Sequence, residues 1–231
     1  MLNNRIAQQI HPIRKGEFVM YNCVKCGLVG CAQQDLQKTL PDCPSKNSEL
    51  QSKALKEYEK EEIHRIAYQS ACVEAEGYCN DTRMVEIINL LKRCNYKKIG
   101  FAFCRGLHRE AREVAQILEY YGFEVVSVIC KNGAVPKAHI GVEDENTPSG
   151  HADREVMCNP VAQAMALNEA KTEFNILLGL CVGHDTLFFK YSEAPVTVLA
   201  VKDRVTGHNP LAAIYCAKGY YKKKFYPENP D

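Results

Sequence analysis

Residues 97–130, KKIGFAFCRGLHREAREVAQILEYYGFEVVSVIC, decide the fold. Two apolar runs, KKIGFAFC (97–104) and FEVVSVIC (123–130), have the length and β-branched or aromatic content of buried strands, and each ends on a cysteine. Between them Leu107, Ala111, Val114, Leu118 and Tyr121 recur at helical spacing, with charged residues on the other face. The spacing predicts a helix over 107–121, and Gly122 is placed to stop it. A strand, a helix and a second strand joined by short connections make a crossover between parallel strands.

The same alternation continues toward the C-terminus. FNILLGLC (174–181) and APVTVLAVK (194–202) read as a third and a fourth strand, with a short helix from Asp185 between them. Asn159-Pro160 and Asn209-Pro210 each pair an N-cap residue with a proline suited to the first helical position. They predict one helix running to about Ala170 and another through Tyr215 and Cys216. Toward the N-terminus, Leu50, Leu55, Tyr58, Ile63, Ile66, Ala67 and Val73 predict a helical stretch from Ser48 to Gly77. A further helix is expected from Asp81, carrying Met84, Ile88 and Leu91 inward. The stretch from Lys131 to Arg154 has no period, and loops of that length inside a domain are functional or disordered. The expected fold is therefore α/β: a four-stranded, mainly parallel, Rossmann-like sheet with helices on both faces over 47–231, preceded by a small module over 1–46.

Composition narrows the function. A chain of 231 residues holds one substantial domain and a small appendage. Twenty-nine basic against 28 acidic residues leave a net charge of +1, which gives no electrostatic reason to expect a nucleic-acid partner. No apolar run reaches the roughly 18 residues that span a bilayer, so no membrane is expected. The start, MLNNRIAQQIHPIRKGEF, lacks the apolar centre of a secretory signal. With no signal and 12 cysteines, the expectation is a cytoplasmic protein whose cysteines are thiols, thiolates or metal ligands rather than disulfides. Neither a G-x-G-x-x-G nor a P-loop pattern is present, so no motif supports nucleotide binding.

Two groups of cysteines carry the chemistry. Cys23, Cys26, Cys31 and Cys43 follow the spacing C-x2-C-x4-C-x11-C-P, with Gly27 and Gly30 giving the backbone freedom to wrap an ion. Four thiolates close a tetrahedral site, and metal ligation would stabilise a segment too short to build a core. The uneven gaps and the terminal Cys-Pro favour a [4Fe–4S] cluster, with zinc as the alternative. The second group lies where strands end. Cys104, Cys130 and Cys181 terminate predicted strands, and Cys158 precedes the Asn-Pro helix start as His208 precedes the other. Ligands of open α/β sheets bind at the carboxyl edge, and a thiol at a helix N-terminus is driven toward thiolate. Cys104 and Cys181 are thus candidates for a reactive or ligating thiolate, with His184 as base or ligand and Asp185 beside it. Cys130 and Cys158 would line the same site, with Lys202, Asp203, Arg204 and His208 as contacts for an anionic ligand. Cys72, Cys79, Cys94 and Cys216 fall in or beside predicted helices and are read as small core residues.

The motifs CVKCGLVGC (23–31), DCP (42–44), CNP (158–160), GLCVGHD (179–185), APVTVLAVKDRV (194–205) and GHNP (207–210) together resemble an uncharacterised family of metal-binding proteins from archaea and anaerobic bacteria, a cysteine-rich domain of unknown function. The resemblance covers nearly the whole chain. It implies metal binding through Cys23, Cys26, Cys31 and Cys43 and no particular reaction. The expected function is that of an iron–sulfur protein of redox or sulfur-handling type, with a small molecule or a redox protein as partner. The alternative is a non-catalytic zinc protein that senses or stores metal or docks a partner.

Overall fold

A computed structural model describes residues 21–228. They fall into two compact units, one up to Tyr68 and one from Gln69.

The first unit is made of turns before it is made of helix. Single 3-10 turns span Cys23–Lys25, Gly30–Gln33, Leu36–Lys38 and Pro44–Lys46. Gly30 is packed so closely that a side chain would meet the carbonyl oxygens of Asp35 and Lys38 at 2.4 Å. Apart from Gly30 and Thr39, little of this segment is buried. Helix α1 (Ser48–Glu57) starts at Asn47, whose side chain accepts a hydrogen bond from the Leu50 amide. The helical stretch expected from Ser48 to Gly77 is broken into α1 and α2 (Glu61–Gly77). Turn hydrogen bonds from the Glu59 and Lys60 amides back to Lys56 and Glu57 close the break. Glu61 and Glu62 then favour a fresh helix start, where negative charge meets the positive end of the dipole. Leu50 and Leu55 are exposed, so their helical spacing does not mark a core face.

The second unit is the expected α/β fold. Strands β1 (Lys98–Phe103), β2 (Glu124–Ile129), β3 (Phe174–Leu178) and β4 (Val196–Ala200) form one sheet, all parallel, in the order β2-β1-β3-β4. Helix α3 (Arg83–Arg93) precedes the sheet, with Ile88 and Leu91 buried as expected. Its start lies at Thr82 rather than Asp81. Helices α4 (His108–Tyr120), α5 (Pro160–Glu169) and α6 (His184–Tyr191) are the crossovers, and α7 (Pro210–Tyr215) and α8 (Lys222–Phe225) follow. Right-handed crossovers put α4 on one face, over β1 and β2, and the mutually packed α5 and α6 on the other. Pleating sorts the core accordingly. Ala102 and Leu177 pack with Ala164, Leu167 and Phe188 of α5 and α6, while Ile99, Phe101 and Phe103 turn to the opposite face. Gly100 has no room for a side chain, because Asn175 Oδ1 and Leu167 occupy the space. Asn175 is itself fully buried and satisfied by Thr172 and Ser192.

Residues 131–159 are ordered rather than structureless. Pro136 and Val156 form an antiparallel bridge, and the Lys137, Ala138 and Met157 amides donate to Glu155, Ala152 and Val135. Short turns at Lys137–Ile140 and Asp144–Asn146 fold the rest of the loop back on itself. Among the described residues, no helix is long and apolar enough to cross a membrane.

Candidate functional site

All twelve cysteines are free. Cys104 and Cys130 stand one residue beyond the carboxyl ends of β1 and β2, where sheet hydrogen bonding still continues. The Cys104 amide donates to Leu178 O at 3.0 Å, and that of Cys130 to Phe103 O at 2.9 Å. The two residues are therefore held side by side. Cys158 joins them because the Asn159 amide donates to Cys130 O at 2.7 Å. Asn159 caps α5 through Ala162 at 3.1 Å, with Pro160 in the first turn, which fixes Cys158 at the mouth of that helix. His184, the first residue of α6, reaches Cys158 because α5 and α6 run side by side with both N-termini at this edge.

The product is a line of interacting side chains, Cys104, Cys130, Cys158 and His184. Cys130 is the middle member and almost fully buried, at 2% exposure. Its neighbours on both sides are sulfurs, Cys104 and Cys158, and they and its burial push its pKa far up. The backbone amide of Arg105 also donates to Cys130 Sγ at 3.2 Å. Cys104 is held down to about 5, first by the Cys130 hydrogen bond and then by the Gly106 amide and the Lys202 ammonium. Lys202 can come this close because Gly106 and Gly179 leave it space; a side chain on either would sit within 3.5 Å of Nζ. Cys158 is held down to about 4, by Cys130 first and His184 next. His184 is raised in turn by its bond to Cys158, which describes a thiolate–imidazolium pair. The line thus has a cation at each end, Lys202 beside Cys104 and His184 beside Cys158.

Other predicted members flank the line without joining it: Arg204 is close enough to feel Cys104 and Cys158, and the His184 amide donates to Cys181 O at 3.0 Å. Cys181 does not end a strand: β3 stops at Leu178, and Gly179, at φ +65, turns the chain against Leu107. Cys181 instead accepts a hydrogen bond from Arg204 at 3.3 Å. Asp185 accepts from the Thr186 amide within the first turn of α6. Asp203 and His208 close a turn rather than facing a ligand. The Asp203 carboxylate accepts from the Val205 and Thr206 amides at 2.9 and 3.0 Å, and His208 Nδ1 accepts from the Asp203 amide at 3.1 Å. Of the four cysteines read as core, only Cys94 is buried; Cys79 and Cys216 are exposed and Cys72 is intermediate.

In the first unit, Cys23, Cys26, Cys31 and Cys43 all line one small cavity, together with Val29, Leu40 and Pro44. Backbone amides of Val29 and Leu28 lower the pKa of Cys26, and the hydroxyl and amide of Ser45 do the same for Cys43. Among the described residues, no group of three or more Cys, His, Asp or Glu side chains is yet arranged to hold a metal ion. The four sulfurs share a cavity without converging on one point in it.

A family model described as protein of unknown function (DUF1847) matches residues 43–199. The chain belongs to this family. An uncharacterized protein of Methanocaldococcus jannaschii, MJ0455, is 46% identical over 196 residues, 84% of this chain and 96% of that protein. No solved structure matches the chain. The span matched by the DUF1847 model contains the whole line from Cys104 to His184, and of the four N-terminal cysteines only Cys43.

Proposed function

We propose that this DUF1847 protein is a cysteine-dependent protein of redox or sulfur-handling type, with Cys158 as its working thiolate and Cys130 and Cys104 as its partners. The observation that carries the reading is geometric: backbone hydrogen bonds and the α5 cap set Cys104, Cys130 and Cys158 side by side at the carboxyl edge, with Lys202 at one end and His184 at the other. Contact with Cys130 and these two cations favours thiolates at Cys104 and Cys158. His184 serves as a charge partner for Cys158 more than as a base, because each lowers the cost of charging the other.

The second part of the proposal is a metal centre on Cys23, Cys26, Cys31 and Cys43, a [4Fe–4S] cluster in preference to zinc. The donor set suits it: four sulfurs on one cavity, two of them already favoured as thiolates by nearby amides, in a segment with almost no core. Closing that cavity requires the side chains to converge on an ion. A bound cluster would supply one-electron exchange; zinc would supply shape alone.

Anaerobic purification tests the metal. A brown sample with iron and acid-labile sulfide is expected; a colourless sample with one zinc supports the sensor or docking alternative, and a metal-free protein overturns this part. Iodoacetamide labelling of the native protein at about pH 6, mapped by peptide, tests the thiolates. Cys158 should be modified ahead of the exposed Cys79 and Cys216. Inert Cys104 and Cys158 at every pH would overturn the thiol reading.

A further inference from the structure

Beside the thiol line lies a cavity of about 600 Å³ lined by Arg105, Lys131, His151, Arg154 and Glu155, with Ser149 and Val156 among its walls. Its size is in the range of small-molecule sites. Its position follows from the chain: Arg105 succeeds Cys104, Lys131 succeeds Cys130, and Val156 stands two residues before Cys158. The charge of Lys131 is felt at both Cys158 and His184, so the cavity and the line share one electrostatic environment.

The lining is strongly cationic. Its one carboxylate, Glu155, is occupied: Lys137 bridges it at 2.5 Å and the Ser149 amide donates to it at 3.0 Å. Arg154 has only a loose, exposed contact with Asp153 at 3.6 Å, and among the described residues Arg105 makes no ion pair. Lys131 Nζ donates to the neutral carbonyl Val156 O and, among the described residues, pairs with no carboxylate. The walls are fixed by the Pro136–Val156 bridge and by the Ala152 amide on Asp144 Oδ1 at 2.7 Å. The aperiodic loop has therefore built one positively charged side of a pocket against the carboxyl edge of the sheet.

We infer that this cleft binds the acid groups of a small anionic disulfide and presents its sulfur–sulfur bond to Cys158. The inference rests on the thiol reading above and adds the substrate class. The step balances within the protein and that substrate. The partly buried Cys158 Sγ attacks one sulfur of RS–SR, forming a Cys158–SR mixed disulfide and releasing RS⁻. Cys130 Sγ then attacks Cys158 Sγ, forming the Cys130–Cys158 bond. The second RS⁻ leaves and takes the proton that Cys130 held. The substrate gains two electrons and the cysteine pair loses them. Deeply buried Cys130 is suited to this second role, since it meets Cys158 and not solvent.

The test is a single turnover of the reduced full-length protein under anaerobic conditions. Three aliphatic disulfides are compared: dithiodipropionate with two carboxylates, neutral hydroxyethyl disulfide, and cystamine with two ammonium groups. The readout is the rate of appearance of the Cys130–Cys158 peptide cross-link, normalised to each reagent's rate with a free cysteine peptide. The anionic reagent is expected to lead cystamine by roughly ten-fold at low salt, with the lead shrinking as salt rises. In the Arg105→Gln/Arg154→Gln variant, whose changed residues are exposed, the ratio should fall to about unity. Equal normalised rates for all three reagents would overturn the cleft and leave the thiol reading standing. Absence of the Cys130–Cys158 cross-link with every reagent would overturn the thiol reading itself.

Discussion

The two cysteine groups of this protein are assembled in opposite ways. Cys23, Cys26, Cys31 and Cys43 are neighbours because tight turns within about twenty residues bring them to one cavity, with scarcely any apolar burial to hold the shape. Cys104, Cys130, Cys158 and His184 are far apart in sequence and meet because a parallel sheet delivers the ends of β1 and β2 and the starts of α5 and α6 to one edge. The first arrangement is local in sequence and nearly without a core. The second is assembled by the core itself.

The contrast can be broken most severely at the turn-built group. Replacing its four cysteines by serine should abolish metal content and strip amide-exchange protection from residues 21–46, a loss on the order of 10 kcal/mol where metal ligation supplies the folding energy. The melting of the sheet-built unit should scarcely move. If residues 21–46 keep their protection, the segment holds itself together and the comparison fails. Next in size, Leu167→Ala, in a fully buried position of α5, should cost about 3 kcal/mol by denaturant unfolding. It should also raise solvent access to the thiol line while leaving the N-terminal metal content unchanged.

Smaller effects sharpen the sheet-built side. Because the Cys158 pKa is depressed to about 4, its thiolate persists as pH falls and is lost only below about 5. Its alkylation rate should stay nearly flat from pH 8 to about 6, where an ordinary thiol slows about ten-fold per unit. Removing the imidazolium with His184→Gln raises that pKa, so at fixed pH the thiolate fraction falls. At about pH 5 the labelling of Cys158 should drop roughly ten-fold, with little change at pH 8. Smallest of all, Asn159→Ala removes the α5 cap at a cost of about 1 kcal/mol and should loosen the position of Cys158 without unfolding the unit.

Much of the frame was legible because buried strands advertise themselves. KIGFAF is an apolar run of strand length and is buried, and Asn159-Pro160 marks a helix start with two independent signals; EVVSVI, expected as a buried strand, forms the edge strand β2 and is only partly covered, with Glu124 and Ser127 exposed. The cysteines after β1 and β2 could be placed at one edge for the same reason. What pattern could not supply was anything that depends on which strand neighbours which. That Cys130 lies between Cys104 and Cys158, and that His184 pairs with Cys158, follows from the order β2-β1-β3-β4 and from the packing of α5 on α6. LLGLC reads as one apolar run, yet β3 ends at Leu178, because Gly179 turns the backbone into the left-handed region and Cys181 accepts from Arg204 beyond the strand. Asp203 and His208 carry ligand-like side chains, yet local hydrogen bonds claim them first. Leu50 and Leu55 kept helical spacing on a helix with nothing to bury them. The basic cleft went unread because its residues lie in a loop with no period, although the basic residue directly after each of Cys104 and Cys130 was a signal available in the sequence.

One backbone bond ties the cysteines together mechanically. The Asn159 amide hangs from Cys130 O at 2.7 Å, so the first turn of α5 is hinged on the end of β2. Anything that pries Cys158 away from Cys130 must break that hinge first, and the spacing of the two sulfurs is therefore governed by the sheet rather than by the long loop between them.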